Sequence, residues 1–455
     1  MSAVAPAPAP RAAAVTRAPA MPPGPRLPTA IQTARWAVRP LPFLLELQRR
    51  YGDVFSFQLF HEDPWVMVSD PELVKRVFTA PADVLHAGEG NQILEPILGP
   101  HSVLLLDEDA HLRQRKLLLP PFHGDRMERY GEVMREVVET EIARWPAGEA
   151  APAWPRMQAI TLEVILRAVF GVTEPARLDP LRVALREMLD FMGDNRRMIA
   201  LVLAGPRRAA ESRLLGFRKL MARADELVLA EVARHRGYDD LGERDDVLSL
   251  LLQARHEDGS GMSDSELRDE LMTLLVAGHE TTATALGWAV ERLVRHPEAL
   301  ARTVAEAADG GGPYTEAVIQ ETLRLRPVIP VVARHVKQPF ELGDHLIPVG
   351  ATITPCILLM HRRPDVYPDP NAFRPERFIE QPPGTYTWIP FGGGVRRCIG
   401  ASFALFEMRV VLSTLLARAT VAVDPTRSAR EGTRRRAITL TPARGATVVL
   451  EPVAA

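Results

Sequence analysis

The chain has 455 residues, of which 46% are apolar and 25% charged, ordinary proportions for a globular protein. Its 55 Lys and Arg against 57 Asp and Glu give a formal net charge of −2, without the basic excess that a nucleic-acid partner requires. Two cysteines exclude a disulfide framework and a Cys-rich zinc module, and leave a single thiolate ligand open.

Residues 1–30 are dominated by Ala and Pro, and proline removes backbone donors at short intervals. A flexible or polyproline-like tail is expected there. The same prolines interrupt every candidate signal-peptide core, and no apolar run reaches the ~18 residues of a bilayer span. The expected location is the cytoplasm, with no membrane anchor. Residues 31–455 contain no linker rich enough in Gly, Ser or Pro to divide them, and one domain is expected.

Val54–Phe60 and Trp65–Ser69 read as short strands about a turn at residues 61–64. Pro71 then opens a helix to Phe78, with Asp70 as its N-cap. From Met127 to Leu229 the apolar period is helical, with breaks near Pro146–Pro155, Gly171–Pro180 and Gly205-Pro206. The polar stretch Arg234–Ser263 encloses a helical apolar patch. A long helix over 264–294 follows Ser263, whose spacing to Glu266 fits a capping box, and His296-Pro297 ends it. A helix from Thr315 to Leu325 stops before Pro327. Strand signals follow at Phe340–Leu342 and Leu346–Pro355, then Pro-rich loops, then a helix from Ile399 to Leu416. Helices dominate.

The segment from Phe391 to Gly400 reads Phe-Gly-Gly-Gly-Val-Arg-Arg-Cys-Ile-Gly. Its glycines let backbone amides approach a ligand, the helix that follows adds a positive dipole end, and Arg396 and Arg397 add charge. Each effect favours a thiolate at Cys398. Such a cysteine is a nucleophile or an axial metal ligand. The loop fails as a dinucleotide fingerprint, because its last glycine would fall at Arg397; His279-Glu280 fails as a zincin start, because the second histidine would fall at Ala283.

Phe391, Gly394, Arg396, Cys398 and Gly400 match all fixed positions of FxxGxRxCxG, and the chain thereby resembles the cytochrome P-450 monooxygenases. The resemblance covers nearly the whole chain from residue 40. It implies a mostly α cytochrome P-450 fold, a large helical domain with a smaller β-rich lobe. It implies haem b as cofactor, with Cys398 as the iron's thiolate ligand and Gly392 among the loop residues against it. Glu321-Thr-Leu-Arg324 resembles the family's ExxR helix and Pro375-Glu-Arg377-Phe its PERF segment, so that Glu321, Arg324 and Arg377 would form a buried network supporting the cysteine loop.

Ala277-Gly278-His279-Glu280-Thr281-Thr282 resembles the oxygen-activating segment. Ala277 and Gly278 would lie against the haem, and Glu280 and Thr281 would be the acid–alcohol pair that organises water and relays protons. On the residues alone, a Gly beside two Thr in a helix marks a local weakening, and His279 reads as structural. His111 and Arg115, at i and i+4, resemble the helix that grips the haem propionates, with Arg334 and Arg396 as further contacts. Cys356, in strand-like TITPCILL, reads as core.

The resemblance to soluble bacterial members further implies O2 as co-substrate and electrons from a separate ferredoxin and ferredoxin reductase, with Arg113, Lys116, Arg397 and Arg409 as an attractive proximal face. A monomer is expected. Ile329, Val331 and Val332 would wall the substrate pocket, and Ile93, Leu94 and Ile97 would lie in a mobile loop over it, within Leu85–Leu106. Walls so apolar point to a lipophilic substrate of the fatty-acid, terpenoid or steroid class, hydroxylated or epoxidised. The rival readings are a peroxide-driven peroxygenase, against which Glu280-Thr281 argues, and a haem-binding sensor or carrier without turnover. A cysteine hydrolase is more remote, because no histidine can be assigned as base to Cys398.

Overall fold

Proline and capping side chains set many of the helix starts in the computed structural model, which describes residues 20–122, 126–193, 216–426 and 430–453. The N-terminal helices are α1 (Thr29–Val38), α2 (Pro40–Tyr51), α3 (Pro71–Phe78), α4 (Glu95–Leu98) and α5 (Glu108–Leu118). The central ones are α6 (Arg126–Ile142), α7 (Ala153–Phe170), α8 (Pro175–Gly193), α9 (Phe217–Arg236), α10 (Val247–Gln253) and α11 (Asp264–Val294). Then come α12 (Pro297–Ala307), α13 (Pro313–Leu325), α14 (Ile357–Met360), α15 (Glu376–Glu380) and α16 (Ala401–Arg418). Asp70 caps α3 by accepting from Leu73 N at 3.0 Å, and Ser263 and Glu266 complete the capping box of α11. No helix of the described residues is long and apolar enough to cross a membrane.

Strands β1 (Val54–Phe57), β2 (Trp65–Val68), β3 (Leu85–His86), β5 (Arg334–Val336) and β8 (Thr352–Pro355) form one sheet in the order β1-β2-β8-β5-β3, parallel only between β2 and β8. A second sheet orders β4 (Ala150–Pro152), β12 (Thr447–Pro452) and β9 (Ala419–Val423) as β4-β12-β9. Two hairpins complete the β structure, β6–β7 (Phe340–Leu342, His345–Ile347) and β10–β11 (Thr433–Arg436, Thr439–Pro442). A large helical body with a smaller β-rich part is what the sequence led us to expect.

The centre of the helical body is α11, whose apolar residues lie all round it and which is buried along most of its length. It packs against α7, where Gly287 lets the helices close: a Cβ there would lie 3.3 Å from the Trp154 side chain. Near its N-terminus α11 also grips the turn at residues 99–103. Asp269 accepts from His101 N at 2.9 Å, Glu270 from Val103 N at 2.8 Å, and the Thr273 hydroxyl meets Ser102 Oγ at 2.7 Å. Gly99, at φ +82°, takes a backbone conformation that most side chains avoid.

Several boundaries differ from expectation. Within the Ala/Pro stretch, Ser56 donates to Pro23 O at 2.9 Å from its amide and to Pro22 O at 2.7 Å from its hydroxyl, which fastens residues 22–23 to β1. Residues 1–19 and the Gly205-Pro206 break lie outside the described residues. Pro155 sits in the first turn of α7, where its missing N–H costs nothing, and Pro180 lies inside α8 rather than before it. Leu346–Pro355 is two strands, parted by a turn through Gly350 at φ +87°. Cys356 is buried as expected, but it caps α14 instead of extending a strand. The supposed loop Leu85–Leu106 holds β3, a 3₁₀ turn at Glu89–Leu94 and α4.

Burial pushes the Glu270 carboxyl up to about 8, against the Val103 N–H that favours its charge. The folded state therefore keeps a proton that the unfolded chain releases from about pH 4 upward. Stability falls as pH rises through that window and levels off above about pH 8. Glu407 on α16, also pushed up to about 8 by burial, acts in the same sense. Glu270→Gln is expected to remove roughly half of this decline, measured as the change in Tm across the window.

Candidate functional site

The cysteine loop is built by backbone conformations that need glycine. Gly392 and Gly394 have φ of +69° and +65°, and a Cβ on Gly394 would fall 1.9 Å from Phe78 O at the end of α3. Cys398 N closes the loop on Phe391 O at 3.0 Å. Gly400 then caps α16, and a Cβ there would meet nothing within 4 Å. Cys398 itself is crowded by protein yet its surface is open, the combination expected of a side chain lining an interior space. Burial raises the Cys398 thiol above its ordinary range and outweighs the Gly400 N–H, Arg115 and Arg397, all of which favour the thiolate.

Behind the loop, Glu321, Arg324 and Arg377 come together. Arg324 and Glu321 have no exposed side-chain surface. Arg324 donates to Glu321 at 2.6 and 2.8 Å and to the carbonyls of His361, Pro370 and Ala372 at 2.7, 2.8 and 3.1 Å. Arg377 Nε and Arg374 N reach the same Glu321 oxygen at 3.1 and 2.9 Å. His361, which the sequence did not single out, carries the network onward: its Nε2 accepts from Ile389 N at 2.9 Å, two residues before Phe391. Burial beside Arg324 and Arg362 holds that imidazole well below its ordinary range, and Nδ1–H of the neutral ring points at Arg324 O, 3.2 Å away.

On the other side of the loop, His111, Arg334 and Arg396 line a cavity of about 230 Å³ with Asp107 and Glu108. Burial lowers His111 to about 4, reinforced by Arg396 and Arg115, so the ring is neutral. Burial also lowers Arg334 and Arg396 to about 10, which leaves both cationic. Arg396 is not free in this arrangement. It donates to Asp107 Oδ1 at 2.5 Å and to the carbonyls of Leu106 and Val103. Asp107 also accepts the amides of Ala87, Gly88 and Glu89 at 2.9, 2.9 and 3.0 Å, and was missed because its letter reads only as a helix cap. Arg115 is not among the cavity residues and stands nearer Cys398 and Arg397.

Along α11 one stretch is open within an otherwise buried helix: Ala277 is exposed, and Leu274 and Thr281 are half-open. The Thr281 hydroxyl donates to Ala277 O at 2.5 Å, the back-bonding that its position suggested. Gly278 points elsewhere, since its Cβ would meet Ile165 of α7 at 3.0 Å. Glu280 turns toward α7 and β10, accepting from Gln158 Nε2 at 2.8 Å with Arg436 Nε 3.4 Å away. Burial raises its carboxyl above the ordinary range, opposed chiefly by Arg436. His279 is buried with Nδ1 2.9 Å from the Thr161 hydroxyl, which agrees with a structural part.

Ile329, Val331 and Val332 are half-buried, and Val332 lies beside Gly392. The 3₁₀ turn holding Ile93 and Leu94 sits on this segment through Gly90 against Ala333, while Ile97 packs into the helical core. Ile93 is 52% exposed, so it contributes less wall than expected. On the proximal side Lys116 is paired with Glu257 at 2.9 Å and Arg409 with Glu316 at 3.4 Å, leaving that face less positive than its letters imply.

These features fit a flat, dianionic cofactor bound through sulfur: an open thiol, an open place for a Cβ at Gly400, an open stretch on α11 and a cavity rich in cationic and neutral donors. Comparison with known proteins agrees. The family model described as Cytochrome P450 matches residues 19–448. The Mycobacterium tuberculosis protein named "Putative cytochrome P450 135B1" is 42% identical over 434 residues, 94% of this chain and 91% of its own. "Putative cytochrome P450 138" of the same species is 41% identical over 447 residues, 96% and 98% of the two chains. Two solved structures share the fold. "Crystal structure of cytochrome P450DA heme domain" has a TM-score of 0.81 at 24% identity, covering 96% of this chain and 99% of that one. "Retinoic acid bound cyanobacterial CYP120A1" has 0.78 at 23%, covering 96% and 100%.

Removing Arg324 would leave Glu321 wholly buried with Arg377 as its remaining cation. Arg324→Ala is expected to cost about 3–5 kcal/mol, and Arg324→Lys nearly as much, because one ammonium cannot serve the carboxylate and the three carbonyls together. Denaturant unfolding of both variants measures it.

Proposed function

Because the chain belongs to the cytochrome P450 family, and is thereby a haem-thiolate monooxygenase using haem b, we propose that it hydroxylates or epoxidises a lipophilic small molecule. The fatty-acid, terpenoid and steroid classes fit, with O2 as co-substrate and a separate ferredoxin and ferredoxin reductase as electron source. The single observation that carries the substrate class is the apolar, half-open segment Ile329–Val332, which reaches the cysteine loop through Val332 against Gly392. Apolar walls hold a ligand by burial at ~25 cal/mol per Å² and set its orientation by shape.

Haem b supplies the oxygen-activating, one-electron chemistry that no side chain here possesses. The chain's own residues do the rest. Cys398 holds the cofactor through sulfur. His111, Arg334 and Arg396 donate to its carboxylates, Arg396 by sharing or exchanging Asp107. Glu280 retains a proton to higher pH than an ordinary carboxyl, and its Oε1 has no hydrogen-bond partner among the described residues. Thr281 already donates to Ala277 O, so its oxygen is left to accept. That oxygen can accept a hydrogen bond from a water lying between it and Glu280, and so orient the water to receive the proton that Glu280 releases.

Titration of the haem-loaded protein with fatty acids, sesquiterpenes and steroids is expected to shift the Soret band toward high spin for at least one class. A band indifferent to all three would overturn the lipophilic substrate. Cys398→Ser is expected to lose the thiolate signature of the reduced carbon-monoxide complex.

The ferredoxin reading rests on Arg113 and Arg397, which remain exposed. Reversing Arg113 together with Lys116 to Glu is expected to slow reduction by an acidic ferredoxin about tenfold at low salt and to flatten its salt dependence. Stopped-flow reduction across ionic strengths checks this.

A further inference from the structure

We propose that Arg436, on the C-terminal hairpin, is the positioning residue for the Glu280 carboxyl, and that Asp190 of α8 competes with Glu280 for its charge. The inference rests on the reading of Glu280 as the proton-carrying acid.

Arg436 Nε stands 3.4 Å from Glu280 Oε1, and the other Glu280 oxygen accepts from Gln158. Oε1 is buried and makes no hydrogen bond among the described residues. The facing cation is therefore poised beside the one oxygen that can change its partner. The opposite end of the same guanidinium reaches Asp190 Oδ1 and Leu189 O, each at 3.2 Å. Its flat face lies over Trp154, 5.2 Å from the ring centre, and Trp154 is itself fixed by donating to Thr284 of α11 at 3.2 Å.

Space is reserved for this group. A Cβ at Gly193 would fall 2.1 Å from Arg436 Cζ. Arg436 is thus held by α7, α8 and its own hairpin and has little freedom to follow Glu280 if the carboxyl turns away. Asp190, by contrast, is 66% exposed, so its hold on Arg436 is open to solvent and salt.

The charged groups facing Glu280 are Arg436 and Arg434 from β10 and Asp190 from α8, with neutral Gln158 from α7. Arg436 and Arg434 favour the carboxylate, and Asp190 opposes it. When Glu280 gives up its proton, the charge left on Oε1 is met by Arg436, and the proton is restored from solvent. Two substitutions should then move Glu280 in opposite directions. Arg436→Gln removes the cation and raises the pH at which Glu280 ionises. Asp190→Asn releases the cation to Glu280 and lowers it. General loosening of the fold cannot produce opposite shifts.

The measurement is infrared difference spectroscopy of the haem-loaded protein against pH, following the protonated-carboxyl band that Glu280→Gln removes. That subtraction separates Glu280 from the other buried acids, Glu270 and Glu407. We expect the midpoint to rise by about one unit in Arg436→Gln and to fall by a smaller amount in Asp190→Asn. If the Glu280 band is present but Asp190→Asn leaves its midpoint unmoved or raises it, the part given to Arg436 is overturned while Glu280 keeps its own; this arm holds even if Arg436→Gln does not fold. If Glu280→Gln removes no band, both readings fall together.

Discussion

Arg324 has five N–H groups and no exposed side-chain surface, and each N–H meets an acceptor: two on Glu321 and one each on the carbonyls of His361, Pro370 and Ala372. A guanidinium taken wholly out of water is tolerable only when every donor is answered. That requirement fixes four stretches of chain relative to one another: α13, the end of α14, the turn at 368–374 and, through Glu321, Arg377 of α15. The backbone running into the cysteine loop hangs from the same point. Ile389 donates to His361, and Trp388 donates to Gln320 O at 3.1 Å and packs on Phe391. The position of Cys398 is therefore decided some seventy residues upstream in sequence, by a carboxylate and a guanidinium that never approach it.

A similar logic organises the opposite flank of the loop, with the sign of the charge reversed. Arg334 and Arg396 stand near each other with neutral His111, and two cations in a partly dry cavity repel unless an anion separates them. Asp107 is that anion, and it is tied by three backbone amides to residues 87–89. A carboxylate arriving with a cofactor meets donors that already hold one carboxylate. Residues 87–89 and the Arg396 guanidinium are consequently coupled through a single side chain.

Much of this could be read from letters, and the boundary between legible and illegible is physical. The start of α3 and the cap of α11 depend on contacts within four residues, and both were placed correctly from the sequence. The ten residues from Phe391 to Gly400 were legible because a tight loop concentrates its constraints, four of them glycines, in one stretch. Partnerships across long separations left no local mark. Arg436 lies in a run of three arginines that resembles a solvated strand face, yet it pairs with a carboxylate more than a hundred residues earlier. His361 carries nothing that distinguishes it from a surface histidine. The division of Leu346–Pro355 into two strands was lost because an apolar run hides the turn at Gly350.

Local reasoning about the thiol itself finds groups that favour its charge but not the burial that opposes them. Glycine amides, a helix start and two arginines all favour a thiolate, and counting them predicts an acidic cysteine. The Gly400 N–H is directed at the sulfur and Arg397 is nearby, joined by Arg115 of α5, whereas Arg396 is turned to Asp107; burial opposes them. Desolvation grows with every atom that encloses the charge, and dipoles and cations at several ångströms recover only part of it. The Gly400 amide and the nearby cations lower the cost of a thiolate at this loop. A metal cation bonded at the sulfur would reverse the usual consequence of burial. That division of labour accounts for a loop that is rigid in its glycines yet sparing in direct contacts to Cys398: its fixed geometry presents the sulfur, and the partial charge it offers sets how much electron density the sulfur keeps once bonded.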